Sequence, residues 1–263
     1  MAPLRSRAEK IVKAAGPGPT RIDLRIENPD AAYHLDEIDS RIAAISQPEL
    51  HRHHHGLRVL IDLDSTIYPL FEAFRTLPEG RRCRIENCPS WATMPDLVDG
   101  NFLQILDRAT SYETMSRVGL YPGARSAINQ LRGHGVAVEI VTHRWAKTSD
   151  DIELFLSEEG VEYDNLVVDM KVDKLKHCRE NEISLAIDDK PDFIESCRAG
   201  GVVPASMAWP YNRSAIGAGA ALNAENWLDL TKAVLGELGS IAGPIRAGAA
   251  TSLPSSSLPS SLT

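Results

Sequence analysis

Two rhythms of apolar and polar residues alternate along most of this chain. Short β-rich apolar runs occur at "LRVLID" (57–62), "VAVEIVT" (136–142), "NLVVDM" (165–170), "ISLAIDD" (183–189) and "GVVPASMAW" (201–209). They are bounded by Gly, Pro, Asn or Asp and predict strands. Between them, "ARSAINQLRGHG", "KTSDDIELFLSEEG", "KVDKLKHCREN" and "KPDFIESCRAGG" carry helical spacing, several closing on glycine. Strands separated by helices of this length predict parallel pairing with crossover helices, a three-layer α/β domain.

The two ends read differently. "SRAEKIVKAA" predicts a short helix before the breaker "GPGPT". "HLDEIDSRIAAI" places Leu35, Ile38, Ile42 and Ile45 on one helical stripe, with acidic residues in its first turn. That stripe must cover something, either the sheet domain or a second copy of the chain. "NAENWLDLTKAVLGELGS" predicts a last helix. The Ser, Pro, Gly and Ala-rich stretch from residue 240 onward predicts a disordered tail, because it has too little apolar surface to offset chain entropy.

Composition narrows the class. The chain has 263 residues, 43% of them hydrophobic and 24% charged, the ordinary globular balance. A net charge of -8 argues against tight, nonspecific binding to a nucleic-acid backbone, which needs a basic face. It does not exclude a small anionic substrate, because a site has its own local field. No run approaches the roughly 18 apolar residues of a membrane span. The N-terminus lacks a secretory apolar stretch. Cytoplasmic placement with reduced thiols at Cys83, Cys88, Cys178 and Cys197 is the expectation. Cys83 and Cys88 do not make a CxxC pair, and no zinc site is expected there. The histidines His51, His53, His54 and His55 read as a polar linker rather than a metal site, having no Cys or carboxylate partners nearby.

The candidate chemistry sits where the strands end. The first run closes on Asp62 and Asp64, the second on Thr142, and the fourth on Asp188 and Asp189; Lys171 opens the helix between the last two. Ligands of open parallel sheets bind outside the carboxyl ends of the strands, so residues far apart in sequence can meet there. Residues i and i+2 of an extended chain point the same way, so Asp62 and Asp64 can face one pocket unless the strand bends between them. Four carboxylates in one small space need a cation or protons. Hard oxygen ligands suit Mg²⁺. With the Lys171 ammonium and the Thr142 hydroxyl, such a centre would cradle a phosphate dianion. A carboxylate can also attack phosphorus.

The ordered set of DxDxT, strand-end Thr, Lys and strand-end DD resembles the haloacid dehalogenase (HAD) superfamily of phosphohydrolases. The resemblance covers about residues 56–239, leaving an N-terminal extension, 1–55, and the tail, 240–263. It implies a Rossmann-like sheet with a small cap, Mg²⁺ as cofactor and an aspartyl-phosphate intermediate. Residue by residue, it implies Asp62 as nucleophile and metal ligand. Asp64 would be acid and base, its backbone carbonyl also on the metal. Thr142 and Lys171 would hold the phosphate. Asp188 and Asp189 would lie at the metal, with Asp189 the more direct ligand. Lys174 is the rival for Lys171, set aside because it lies a turn inside the expected helix. Ser65 departs from the glycine or acidic residue that many relatives have there.

The chain between Thr66 and Thr142 is far longer than the roughly 30 residues of a plain βαβ unit. The surplus, about 68–117, reads as helices and is expected to form the cap. Arg75, Arg81, Arg82, Arg84, Trp91 and Phe102 are its candidates for substrate contact. The layout "YPGARSAINQLRGHGVAVEIVTHR", "AIDDKPDFIESCRAGGV" and "MAWPYNR" is similar to proteins of the 5'(3')-deoxyribonucleotidase type. That resemblance implies a nucleoside monophosphate as the substrate. A polynucleotide 3'-end or sugar-phosphate phosphatase, and a noncatalytic HAD-fold binding module, are the alternatives.

Overall fold

The structure is a computed structural model. It describes residues 37–45, 56–217 and 221–249, the last helix beyond Ile241 as backbone only. Six strands form one sheet: β1 Arg58–Ile61, β2 Ala137–Thr142, β3 Asn165–Val168, β4 Leu185–Ile187, β5 Val203–Met207 and β6 Leu222–Ala224. Their order is β3-β2-β1-β4-β5-β6 and every neighbouring pair is parallel. The helices are α1 (37–43), α2 Leu70–Arg75, α3 Phe102–Ala109, α4 Tyr112–Val118, α5 Ala124–Gly133, α6 Ser149–Glu158, α7 Lys174–Glu180, α8 Pro191–Gly200, α9 Arg213–Ile216 and α10 Trp227–Ala249.

The strands read as continuous apolar runs because both faces are covered. Val59 and Ile61 of β1 join one core with Val138, Ile140, Leu185 and Ile187, while Leu60, Val141 and Ala186 join a second. Successive residues point to opposite faces, so the period of two sorts them between the layers. Cys178 of α7 with Phe193 and Cys197 of α8 covers the second face. Ile128 and Leu131 of α5 with Trp227, Leu230 and Val234 of α10 belong to the first.

One strand position breaks the apolar run. Glu139 is fully buried in the middle of β2. It accepts hydrogen bonds from the Arg58 guanidinium on β1 (Nε, 3.1 Å), Asn165 on β3 (3.1 Å) and His177 Nε2 on α7 (2.9 Å). Burial alone would raise this carboxyl, but the donors outweigh it and hold it below the usual value of 4.5. A depressed folded-state pKa stabilises the protein above the unfolded value and loses that contribution as pH falls through the folded one. Thermal melts between pH 6 and pH 3 are therefore expected to fall less steeply below about pH 4.5 for Glu139→Gln than for the parent.

The N-terminal stripe is covered by its own chain. Ile42 is fully buried, and Ile38 and Ile45 pack against the main core. Asp39 accepts hydrogen bonds from Arg125 (2.9 Å) and Ser126 (2.7 Å) of α5. These contacts fit the sheet-domain alternative for Ile38, Ile42 and Ile45. Leu35, the histidine cluster and the "SRAEKIVKAA" segment lie outside the described residues. Gly123, at φ +83°, is the close-packed point below α1, where an added Cβ would meet Ile42 at 2.8 Å and Ile38 at 2.9 Å. Gly123→Ala is expected to lower stability by about 1–3 kcal/mol through overpacking and a left-handed backbone, read as a lower Tm.

Strand β6 went unpredicted, since three residues, Leu-Asn-Ala, show no periodicity; it exists by pairing with β5. The last helix runs to Ala249, past Ser240, where the predicted helix "NAENWLDLTKAVLGELGS" ended. The Ser240 hydroxyl donates to the Gly236 carbonyl (3.1 Å), and Ile241 packs against the core. Residues 250–263 lie outside the described residues. Among the described residues, no helix is long and apolar enough to cross a membrane.

The segment between β1 and α5 forms a small helical cap. Helices α2, α3 and α4 alternate with 3-10 turns at Pro78–Gly80, Ile85–Asn87 and Trp91–Leu97. Asn101 and Ser111 cap α3 and α4 by accepting the backbone N–H three residues on. The Tyr68 hydroxyl donates to the Ala109 carbonyl (2.7 Å), tying the end of α3 to the loop after β1.

Candidate active site

The connections run from β1 to β2 and β3 on one side, and through β4 to β5 and β6 on the other. The switch point lies beyond the carboxyl ends of β1 and β4, where open α/β sheets leave a crevice. Asp62 follows β1 directly, and its N–H donates to the Ile187 carbonyl (2.9 Å). Asp188 follows β4, with its N–H on the Ala205 carbonyl (3.0 Å). Both carboxylates are thus held by an extra rung of sheet pairing. A cavity of about 230 Å³ opens above them, lined at its base by Asp62, Asp64, Thr142, His143, Lys174, Asp188, Asp189 and Lys190.

Asp62, Asp188 and Asp189 are all buried and each offers an oxygen within 4.8 Å of the others. Burial raises the Asp62 carboxyl to about 7, against the pull of Lys174 and with the push of Asp188 and Asp64. Asp189 is raised well above its ordinary value, first by burial and then by Asp188 and Asp62. Carboxylates raised in this way lack sufficient positive charge nearby. Three hard oxygen donors in a buried site fit a small divalent cation such as Mg²⁺.

Lys174, rather than Lys171, reaches the acidic cluster. Its ammonium donates to Asp62 Oδ1 (2.5 Å) and Asp188 Oδ2 (2.6 Å), and the residue is 4% exposed. Burial alone would lower its pKa, but the two carboxylates hold it raised. Lys171, the residue favoured by sequence, is exposed, and only its backbone N–H is engaged, by Asp169 Oδ1 (2.9 Å). The criterion of a lysine opening the helix applies to Lys174. The helix starts a turn later than expected, because Asp173 is its N-cap and accepts the Lys176 N–H (3.0 Å). That aspartate was the signal in the sequence.

Thr142 ends β2 with its hydroxyl buried and without a hydrogen-bond partner. A buried orphan hydroxyl beside a cavity is an unused donor for a ligand oxygen. Asp64 also faces the cavity, but its carboxylate lies outside the three-acid cluster. It is gripped instead by Arg144, a residue that sequence reasoning passed over although it stands two positions after Thr142. His143 donates from Nε2 to the Val172 carbonyl (2.8 Å), and burial lowers its imidazole pKa below the ordinary value.

The "PYN" turn after β5 supports the acidic pair. The Tyr211 hydroxyl donates to Asp189 Oδ2 (2.6 Å), and the fully buried Asn212 amide donates to the carbonyls of Asp189 (3.1 Å) and Met207 (3.0 Å). The loop after Asp64 is held just as firmly. Ser65 adopts φ 57°, a left-handed conformation that favours glycine. The Trp209 indole donates to the Ser65 carbonyl (2.9 Å) and the Trp227 indole to that of Thr66 (3.1 Å).

The cap supplies the opposite wall: Leu70 of α2, Trp91, Met94 and Pro95 of the longest 3-10 turn, and Phe102 and Leu106 of α3. Trp91 and Phe102, two of the candidates for substrate contact, thus line the cavity. The arginines are not. Arg75 pairs with Glu72 and Arg82 with Asp99, while Arg81 and Arg84 are exposed.

No known family profile matches the chain, and no curated protein matches it. Solved structures with a similar chain trace include HAD-superfamily hydrolases, a dehalogenase and putative beta-phosphoglucomutases. A HAD family hydrolase from Deinococcus radiodurans R1, with bound phosphate and sodium, is 16% identical with a TM-score of 0.48, over 71% of this chain and 97% of that one. A putative beta-phosphoglucomutase from Thermotoga maritima is 17% identical with a TM-score of 0.47, over 69% and 99%. The D,D-heptose 1.7-bisphosphate phosphatase from B. bronchiseptica, complexed with magnesium and phosphate, is 12% identical with a TM-score of 0.41, over 69% and 99%.

Proposed function

We propose that this chain is a Mg²⁺-dependent phosphomonoester hydrolase of the HAD type, acting on a nucleoside monophosphate. The observation that carries the reading is the buried set at the switch point: three clustered carboxylates, a lysine bridging two of them and an orphan threonine hydroxyl. Asp62, Asp188 and Asp189 would hold the ion, which when bound supplies charge neutralisation for the phosphate and the acids around it. Asp62 attacks phosphorus and the bond to the leaving oxygen breaks, giving an aspartyl-phosphate. Asp64 gives its proton to the leaving oxygen, then takes one from the water that cleaves the intermediate. Thr142 and Lys174 hold the phosphate oxygens, and the cap excludes water from the covered site.

The leaving-group preference follows from the cap. Its wall is apolar and aromatic and contributes no cation to the cavity. Such a surface accepts the face of a base, and offers nothing to a second phosphate or a polynucleotide backbone. A cytosolic setting is part of the same proposal; the four cysteines are free and buried.

The test is phosphate release from ribo- and deoxyribonucleoside 5'- and 3'-monophosphates, sugar phosphates and a 3'-phosphorylated oligonucleotide. With Mg²⁺, the nucleoside monophosphates are expected to turn over fastest, and EDTA is expected to abolish release until Mg²⁺ is restored. Turnover of the sugar phosphates or the oligonucleotide alone would retain the chemistry and overturn the substrate. No release from any ester, with or without metal, would favour the noncatalytic binding module.

A further inference from the structure

Among the described residues, Arg144 joins the base of the cavity to the interior of the cap. It leaves the sheet two residues after Thr142, and its side chain is 4% exposed. Its fork grips Asp64 at both oxygens, Nε to Oδ2 at 2.9 Å and Nη2 to Oδ1 at 2.6 Å. The third nitrogen, Nη1, reaches the other way, to the Thr110 carbonyl (3.3 Å) and the Met115 sulfur (3.0 Å). Those two partners flank the junction of α3 and α4. The guanidinium also lies 5.3 Å from the centroid of the Tyr68 ring, whose hydroxyl is bound to the end of α3.

The physical consequence concerns aim. A free aspartate turns about two side-chain bonds and samples several rotamers. A group that hands a proton to a leaving oxygen must lie within hydrogen-bond reach of it. Two parallel N–H···O bonds from a planar fork set both the position and the plane of the carboxylate. A single-point donor such as lysine cannot do this. Because the same guanidinium is anchored on the α3–α4 junction, the aim of Asp64 is referred to the cap as well as to the sheet.

We propose that Arg144 is a positioning residue: it sets the direction of the Asp64 carboxylate and ties that direction to the seating of the cap over the cavity. The proposal rests on the phosphohydrolase reading above. Arg144 makes and breaks no bond. It acts through Asp64, which enters the first half-reaction carrying a proton on one of its oxygens, gives it to the leaving oxygen, and regains one from the attacking water in the second.

The test compares Arg144→Lys and Arg144→Gln with the parent on two esters. One is a nucleoside monophosphate, whose leaving oxygen needs a proton. The other is 4-nitrophenyl phosphate, whose leaving group departs without one. On the nucleotide, both variants are expected to lose about 100-fold in kcat, within the range for a displaced general acid–base group, with KM little changed. On 4-nitrophenyl phosphate, a rapid first turnover of nitrophenolate is expected to survive and be followed by slow turnover, because water activation also needs Asp64. Combining Arg144→Gln with Asp64→Asn is expected to cost no more than Asp64→Asn alone.

Arg144→Lys, which keeps the charge and an aliphatic stem, carries the test if the glutamine variant unfolds. Parent-like kinetics in the folded variants would overturn the positioning role alone. So would equal losses on both esters, including the first turnover, or losses that add to those of Asp64→Asn. A parent protein inert toward both esters would overturn the phosphohydrolase reading, and this role with it.

Discussion

Asp62→Asn is expected to abolish phosphate release, by about 10⁴-fold or more if it is the nucleophile, as losses of such groups in other enzymes indicate. The substitution keeps the size of the side chain and removes the attacking oxygen's charge. The same change should spare the fold. Asp62 is buried against Asp188 and near Asp64, and burial and those neighbours raise its carboxyl to about 7 even though Lys174 pulls the other way. A neutral amide there relieves crowded negative charge. The metal-free variant is therefore expected to melt no lower than a few degrees below the parent, while gaining less from added Mg²⁺ than the parent does. Parallel melts and phosphate assays separate this outcome from unfolding. Retained turnover in Asp62→Asn would remove the covalent mechanism.

Lys174→Met and Lys171→Met should behave as opposites. Lys174 is buried between Asp62 and Asp188, at 2.5 and 2.6 Å. Removing one partner of a buried ionic group leaves the others uncompensated, at a cost of about 3–5 kcal/mol. For a domain of this size that corresponds to a Tm lower by roughly 10 °C. Phosphate release should fall with it, because the lysine bonded to Asp62 is gone. Added Mg²⁺ should return part of the lost stability by neutralising Asp62 and Asp188, left without their lysine. Lys171 is exposed, and its contact is made by its backbone N–H, which the substitution retains. Its loss is expected to stay within about 0.5 kcal/mol and to leave turnover near the parent's. Equal effects of the two substitutions would sink the assignment of the site to Lys174.

The difference between these lysines shows where reading the sequence was sufficient and where it was not. The strand-end residues were legible because a carboxylate or hydroxyl closing a buried apolar run is anomalous in itself. Asp62, Thr142, Asp188 and Asp189 all stand at such breaks, and the parallel sheet brings them to one rim. The lysine was not legible to the same degree. Choosing between positions three apart required the start of α7, and the start depended on whether Asp173 capped it. Helix ends are the least certain part of a periodic pattern, because their hydrogen bonds come from single side chains. Arg144 was invisible for a different reason. Its partner Asp64 lies 80 positions earlier in the chain, and no local spacing connects them.

What the sequence determined by itself was the class of the molecule: parallel strands with crossover helices, an insertion after the first strand, and acidic strand ends. Those features are local, since hydrophobic period and turn residues specify them within a dozen positions. The tertiary structure alone decided which lysine meets Asp62, that Asp64 is held by an arginine spanning sheet and cap, and that the cap turns its apolar face rather than its arginines to the cavity. It also decided that Ile42 packs beside Gly123 at the start of α5 and that a three-residue β6 can exist at the sheet edge. Each of these rests on contacts between segments far apart in the chain, whose distances follow from how the layers pack and not from any pattern along the sequence.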